Sequence, residues 1–155
     1  EPLIQKNFSR IMSLKDGTKK MSKSDPSDLS RINLTDTKDQ ISNKIKKAKT
    51  DTIPIPNAIN ELETRPEVEN LLGIYSSLNN QKIEKTIKEF SGKNFSDFKE
   101  NLAELVVEKI SPISNEITKL LKNKDYIDEI LKKGAEKAND QASKKVKELK
   151  KIVGF

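Results

Sequence analysis

Apolar residues recur at helical spacing along most of this chain, and this periodicity limits the fold more than any other feature of the sequence. Four helices are predicted in a row: one beginning at Pro66, a short one ending at Gly92, a long one capped by Ser96, and a last one from about Asp125 to Val153. Each apolar stripe is interpreted as core, because an amphipathic helix must cover its apolar face. The stripe residues are Val68, Leu71, Leu72, Tyr75, Leu78, Ile83, Ile87, Phe90, Leu102, Leu105, Val106, Ile110, Ile113, Ile117, Leu120, Ile127, Leu131, Ala135, Ala138, Ala142, Val146 and Leu149.

Two details refine this helical prediction. Pro112 is expected to kink the long helix, because its ring clashes with the preceding turn and it has no amide hydrogen. The small residues of the last helix, Gly134 included, suggest that this helix packs closely on a neighbour. Aromatic residues make up only 5% of the chain, which also favours helices over a sandwich or barrel. The fold class predicted is therefore mainly α.

The beginning of the chain follows a different pattern. Residues 11–14 form a short apolar run of strand length, and residues 15–18 follow it as a turn, so we expect a strand that enters a loop. A first helix should begin at about Thr37, whose side chain can form a capping box with Gln40, although Thr35 is a competing cap. This helix should end near Lys49. Residues 50–57 contain two prolines and are predicted to be extended.

Composition excludes several kinds of chemistry. The chain has no Cys and no His, so disulfides, thiolate or imidazole catalysis and ordinary zinc sites are not expected. No apolar stretch is long enough to cross a membrane, and a cytoplasmic location is expected. Charge is uneven: 12 basic and 6 acidic residues in 1–50 and 10 and 6 in 122–155 flank an acidic middle. Positive ends of this kind suit a polyanion such as a nucleotide phosphate or tRNA, although a solvated surface gives the same pattern.

The segment with the clearest chemical meaning is the loop that follows the predicted strand. Lys20 and Lys23 lie three residues apart, with the hydroxyls of Ser22 and Ser24 beside them. Two ammonium groups and two hydroxyls in a loop suit the binding of a polyphosphate, because they can surround phosphate oxygens with donors and positive charge. A solvated loop of lysines and serines is the simpler alternative, but the ordered string is improbable by chance.

That string, Lys20-Met21-Ser22-Lys23-Ser24, resembles the signature loop of class I aminoacyl-tRNA synthetases. The surrounding sequence resembles the tryptophan-specific branch of that family, with the tyrosine-specific branch as the alternative. The segments that carry this likeness are residues 10–14, Thr18-Lys19, Asp25-Pro26, residues 32–34, 44–51, Arg65-Pro66 and 70–75. Beyond Asn80 the likeness rests on helix pattern more than on distinctive residues.

The resemblance implies two domains: residues 1–35 end a Rossmann-like nucleotide-binding catalytic domain and contain the loop, and residues 36–155 form a helical domain that binds the tRNA anticodon. Its implied reaction activates tryptophan with ATP and Mg²⁺, the metal being held through the ATP phosphates, and then transfers it to tRNA(Trp). Lys20 and Lys23 would be catalytic, stabilising the departing pyrophosphate. The residues that would contact ATP are Ile11, Lys20, Met21, Ser22, Lys23 and Ser24. The lysines that would contact tRNA are Lys144, Lys145 and Lys147.

Part of the family pattern is missing. The family's first signature contains His, which this chain lacks, and the tryptophan pocket belongs to the preceding half of such enzymes. We therefore expect that these 155 residues alone do not activate tryptophan, that they belong to a longer protein, and that the full-length enzyme is a homodimer. The start at Glu1-Pro2, without Met, fits that expectation. A stand-alone helical module that binds nucleic acid, or a helical protein that binds neither ligand, remains open as an alternative.

Overall fold

Thr37 begins the first helix of the computed structural model, which describes residues 8–154. Its hydroxyl accepts a hydrogen bond from the Gln40 amide and the Gln40 side chain accepts one from the Thr37 amide, so the predicted capping box is confirmed. Helix α1 spans Lys38–Lys46 and ends three residues earlier than predicted. The reason is a contact with a distant part of the chain, because the Lys49 amide donates to the Leu14 carbonyl at 2.7 Å instead of continuing the helix.

Four more helices follow, and their order agrees with the predicted one. They are α2 (Pro66–Leu78), α3 (Ile83–Phe90), α4 (Phe95–Lys122) and α5 (Lys124–Val153). Short 3-10 helices also occur at Asp28–Ser30 and Ile59–Leu62. The fold is therefore mainly α, as predicted. No helix within residues 8–154 is both long and apolar enough to cross a membrane.

The predicted cap of the long helix is wrong, and the last helix begins one residue before its predicted start at Asp125. Helix α4 begins one residue before Ser96, and the Asn94 side chain caps it by accepting from the Asp97 amide at 3.1 Å. Helix α5 is capped by Asn123, whose side chain accepts from the Tyr126 amide. Helix α4 continues through Pro112. Asparagine serves both starts because its side-chain oxygen reaches a free amide of the first turn.

The described residues fall into two compact units that divide between Ser114 and Asn115. The core of the first unit contains residues from α1 to α4, and three aromatic rings lie within it. Tyr75 and Phe90 meet edge to face with ring centroids 5.0 Å apart, and Phe90 and Phe98 do so at 4.9 Å. The buried apolar residues are Leu14, Ile41, Ile45, Ala48, Ile55, Leu62, Val68, Leu71, Leu72, Tyr75, Ile87, Phe90, Phe98, Leu102, Ala103, Leu105 and Val106.

The extended segment before α2 is held by one guanidinium group. Arg65 donates two hydrogen bonds of 2.7 Å to the carboxylate of Asp51, and further bonds to the carbonyls of Ile53 and Pro54. The hydrogen bond from Arg65 lowers the pKa of Asp51 below its usual value. Prolines prevent this segment from forming a helix, so a side chain supplies the hydrogen bonds that the backbone lacks.

The second unit corrects the prediction that every apolar stripe is core. Leu120 near the end of α4 is exposed, and α5 contains no buried residue, so the close packing inferred from its small residues is wrong. Ile113, just before the division between the units, is also exposed. Local interactions stabilise α5 instead: its asparagine cap, the ion pairs Glu129–Lys133 and Lys145–Glu148, and Gly154 in the left-handed conformation at its end. Periodicity predicts that a helix is amphipathic but does not predict what covers it.

Replacing Phe98 by alanine tests the aromatic core. Phe98 is fully buried, so Phe98→Ala should lower the free energy of unfolding by about 3–5 kcal/mol, through lost burial and a residual cavity. On the same helix, Leu121→Ala removes a side chain that is 58% exposed and should change stability by less than about 1 kcal/mol. Urea unfolding followed by circular dichroism measures both. Equal losses for the two variants would contradict this assignment of the core.

Candidate functional site

The segment predicted as a strand forms a single antiparallel bridge, between Met12 and Lys20, and no longer strand is present in residues 8–154. Two backbone hydrogen bonds close the bridge: Ser13 N to Lys19 O at 2.8 Å and Met21 N to Ile11 O at 3.0 Å. We name these two paired segments, residues 11–13 and 19–21, the stem, and the loop with Lys20 and Lys23 continues from its second segment. The stem places Lys20 and Met21 beside Ile11, as the proposed ATP site requires.

Other parts of the chain occupy the opposite edge of the stem, which explains why the strand does not extend into a sheet. The buried side-chain amide of Asn70, on α2, accepts from the Met12 amide at 2.8 Å and donates to the Met12 carbonyl at 2.9 Å. The Leu14 amide donates to the Ser30 carbonyl, and the Leu14 carbonyl accepts from Lys49. Every backbone group that another strand would need at these two residues is therefore already satisfied.

The turn at residues 15–18 is fixed by one carboxylate and one glycine. Asp16 accepts hydrogen bonds from the Thr18 hydroxyl at 2.6 Å and the Thr18 amide at 3.1 Å, and forms an ion pair with Lys19. These contacts, the Thr18 hydroxyl bond foremost, lower the pKa of Asp16 to about 2. Gly17 lies against the start of α2, where an added Cβ would come within 2.5 Å of the backbone of Pro66 and Glu67. The turn thus joins the stem to α2.

The lysines of the loop divide into two kinds. Lys15 donates to the Ser27 hydroxyl and Lys19 pairs with Asp16. Lys20 and Lys23, by contrast, make no side-chain hydrogen bond or ion pair with any residue of 8–154, and both are exposed. The Ser22 hydroxyl lies 3.0 Å from that of Ser24 and also accepts from the Ser24 amide. The two ammonium groups singled out from the sequence are therefore available to an anion.

A cavity of about 660 Å³ opens beside the stem and loop. Five of the six residues predicted to contact ATP line it, whereas Ser24 does not and instead supports Ser22. The lining residues are Ser9, Arg10, Ile11, Lys20, Met21, Ser22, Lys23, Arg31, Ile32, Asn33, Leu34 and Thr35. The lining combines the apolar side chains of Ile11 and Met21 with cationic side chains, a combination that can accept a flat base together with its phosphates.

Sequence reasoning missed the polar groups that follow the loop. Arg31 donates to the Asp25 carbonyl at 2.9 Å and to the Asn33 side chain at 3.2 Å, and it pairs with Asp28. Lys44, on α1, is buried and contacts both Asp28 and a second carboxylate, Asp36. The alternation of Asp, Arg and Asn in residues 25–36 was the available signal, but it does not reveal which groups pair.

Two further predictions, the lysines that would contact tRNA and the lack of a metal site, concern side chains that do not line this cavity. Lys144, Lys145 and Lys147 are exposed on α5, and Lys145 pairs with Glu148 at 2.8 Å. Within residues 8–154 no group of three or more acidic, His or Cys side chains could hold a metal ion. The part of the chain that the structure describes therefore offers cations to an anion but no ready cluster of ligands for a metal.

Comparison with known proteins identifies the family. The profile described as tRNA synthetases class I (W and Y) matches residues 1–111, and the chain belongs to this family. Over its full length the chain is 52% identical to tryptophan–tRNA ligase of Agrobacterium fabrum and 50% identical to that of Rickettsia felis. It spans 44% and 46% of these two relatives, so it corresponds to less than half of their length.

A solved structure gives the same result. The crystal structure of tryptophanyl-tRNA synthetase from Mycoplasma pneumoniae matches with a TM-score of 0.60 and 33% identity, covering 72% of this chain and 34% of that one. The likeness to the tryptophan-specific branch that the loop and its surroundings suggested is thus confirmed. Neither the relatives nor the solved structure favours a stand-alone nucleic-acid-binding module or a tyrosine-specific enzyme.

Adding a methyl group at Gly17 tests the contact between the turn and α2. Gly17→Ala should destabilise the protein by about 1–3 kcal/mol, because the new Cβ meets backbone atoms that cannot move aside. Gly134→Ala is the matched control: no atom lies near its added Cβ, and alanine should stabilise the helix by up to about 1 kcal/mol. Thermal unfolding measures both, and a neutral Gly17→Ala would disprove the contact.

The Asp16 carboxylate should give a pH-dependent contribution to stability. Its pKa in the folded protein is about 2, below the ordinary value of 3.8, so its stabilisation is complete above pH 5 and is lost as pH falls from 4 to 2. The stability difference between the parent and Asp16→Asn should therefore shrink over that range. Asp39→Asn, at an exposed site on α1, serves as the control for removing one carboxylate. Denaturant unfolding at successive pH values measures the differences, and a constant difference for Asp16→Asn would refute the assignment.

Proposed function

We propose that this chain supplies the ATP-phosphate loop and the helical part of a tryptophan–tRNA ligase. The observation that carries the proposal is that Lys20 and Lys23 are exposed, line the cavity and have no side-chain partner among residues 8–154, whereas Lys15 and Lys19 contact Ser27 and Asp16. The relatives that match this chain over its full length are named tryptophan–tRNA ligases, which supports the same assignment. Since the chain spans less than half of those relatives, we propose that it does not activate tryptophan alone.

The proposed role of the loop follows from the charge that develops in the reaction. When a carboxylate attacks the α-phosphate of ATP in line, negative charge builds up on the phosphoryl oxygens and on the departing pyrophosphate. Ammonium groups held at that position stabilise the transition state more than the bound substrate, and so increase the rate. We assign this role to Lys20 and Lys23, the two catalytic lysines.

The remaining residues of the cavity would bind and orient the nucleotide. Ser22 and nearby amides would donate to phosphate oxygens, while Ile11 and Met21 would contact the adenine. Ser24, which lies outside the lining, would reach a phosphate oxygen when the loop moves over the nucleotide. Mg²⁺ would arrive bound to the phosphates, where it neutralises part of their charge, because the described residues form no acidic cluster of their own. Movement of the loop over the nucleotide would exclude water.

We propose the other assignments on the resemblance and on charge. Residues 1–35 would end the nucleotide-binding domain, and residues 36–155 would form the anticodon-binding domain. Lys144, Lys145 and Lys147, exposed on α5, would contact tRNA(Trp), with Lys145 exchanging its Glu148 partner for a phosphate. The tryptophan pocket would belong to a preceding half, and the full-length enzyme would be a homodimer in the cytoplasm, where ATP and tRNA are available.

Neighbouring lysines of the loop provide the test of the catalytic assignment. In a full-length synthetase carrying this chain, Lys23→Ala should slow tryptophan-dependent ATP–pyrophosphate exchange about a hundred- to a thousandfold, because it removes a cation from the transition state. Tryptophan affinity should remain nearly unchanged, because the lost cation acts on phosphate oxygens. Lys19→Ala removes another exposed lysine, one that already pairs with Asp16, and it should change the rate by less than about threefold.

The outcome separates the competing functions. If Lys23→Ala were as fast as the parent, the role assigned to this lysine would be wrong. If the parent showed no tryptophan-dependent exchange but bound tRNA with a steep dependence on salt, the nucleic-acid-binding module would be the better description. Exchange that depends on tyrosine would indicate the other branch of the family.

A further inference from the structure

A buried lysine on α1 is linked to the far end of the phosphate loop. The Lys44 side chain is 3% exposed, and its Nζ lies 2.6 Å from Asp36 Oδ2 and 2.7 Å from Asp28 Oδ2. The two carboxylates differ: Asp36 is 6% exposed, whereas Asp28 is 56% exposed. Asp36 therefore compensates the buried ammonium group, and Asp28 adds a second, exchangeable partner at the surface.

Asp28 connects Lys44 to the residues that directly follow the lysines of the loop. Its Oδ1 accepts a hydrogen bond from the Asn33 side chain at 3.0 Å and forms an ion pair with Arg31, also at 3.0 Å. Arg31 in turn donates to the carbonyl of Asp25, the residue after Ser24. We name residues 25–30 the C-terminal limb of the loop. A continuous series of contacts thus runs from α1 through Asp28 and Arg31 to the start of this limb.

The pKa shifts of Asp28 and Lys44 agree with an ion pair between these two residues. Hydrogen bonds from Lys44 and then from Asn33 lower the pKa of Asp28 below its usual value, so this carboxylate is charged at neutral pH. Burial lowers the pKa of Lys44, but the hydrogen bonds and charges of Asp28 and Asp36 outweigh burial and raise it. Both partners are therefore ionised at neutral pH.

Two further contacts reach the later part of the limb, since the Leu14 amide donates to the Ser30 carbonyl and Lys15 to the Ser27 hydroxyl. The part nearer to Lys23 has fewer restraints. Asn70 fixes the stem at Met12, whereas residues 22–24 form only local bonds, chiefly the contact between the two serine hydroxyls. We infer that Lys44, acting through Asp28 and Arg31, is a positioning residue that holds the C-terminal limb in place before ATP binds. The inference rests on the proposed function, because the benefit is a loop ordered in advance around the phosphate-binding lysines.

Asp28→Asn is the informative variant, since Lys44 keeps its buried partner Asp36 and the fold should survive. In the full-length synthetase it should raise the KM for ATP about three- to tenfold, because ATP must then order the limb, and leave kcat within about twofold. The KM for tryptophan should not change. Asp28→Glu, which keeps the carboxylate, should recover most of the ATP effect, and Asp39→Asn, an exposed carboxylate on α1, should behave like the parent.

A second measurement, amide hydrogen exchange, reports directly on how well the C-terminal limb is ordered. Hydrogen exchange of the amides of residues 21–27, without ATP, should be faster in Asp28→Asn than in Asp39→Asn, with equal melting temperatures. If the parent is active and the two variants match in either the KM for ATP or the exchange of these amides, the inference is wrong. A parent without tryptophan-dependent exchange would overturn the proposed function instead, while amide exchange would still decide whether Asp28 holds the limb.

Discussion

The double hydrogen bond between the Asn70 side chain and the Met12 backbone is the contact on which the candidate site depends. It joins residues 58 positions apart, and at 2.8 and 2.9 Å it satisfies both backbone groups of Met12. The buried Asn70 amide is held in one orientation. Rotating it by about 180° would place oxygen against oxygen and N–H against N–H, and would leave these groups without hydrogen bonds. The stem of the loop consequently has a defined position on α2, and the loop residues extend from a fixed base.

Lysines that look alike in the sequence differ in whether their ammonium group has an oxygen partner in the structure. Lys15, Lys19, Lys44 and Lys49 each have an oxygen partner within the chain, whereas Lys20 and Lys23 have none among the described residues. An ammonium group already paired with a carboxylate must lose that partner before it can bind phosphate, and an unpaired one need not. The difference between bound and available cations therefore depends on where the carboxylates lie, not on how many lysines are present.

Sequence reasoning succeeded where the signal is local. The capping box at Thr37, the start of α2 at Pro66 and the family signature of residues 20–24 all follow from residues within a few positions of one another. It failed where the outcome depends on distant partners. Nothing near Asn70 in sequence indicates that its side chain binds Met12. The spacing of Lys44 predicts a position on the polar face of α1, but its side chain is buried. The exposed stripe of α5 was missed for the same reason, since spacing describes a helix and not its surroundings.

The way in which Met12 and Leu14 are bonded has a consequence for association between molecules. A short apolar strand with free amides and carbonyls along one edge is a common starting point for aggregation, because a strand from another molecule can add to it. Here an asparagine side chain and two loop peptides already occupy that edge. The short segment that pairs with Lys20 is thus protected against unwanted β-pairing.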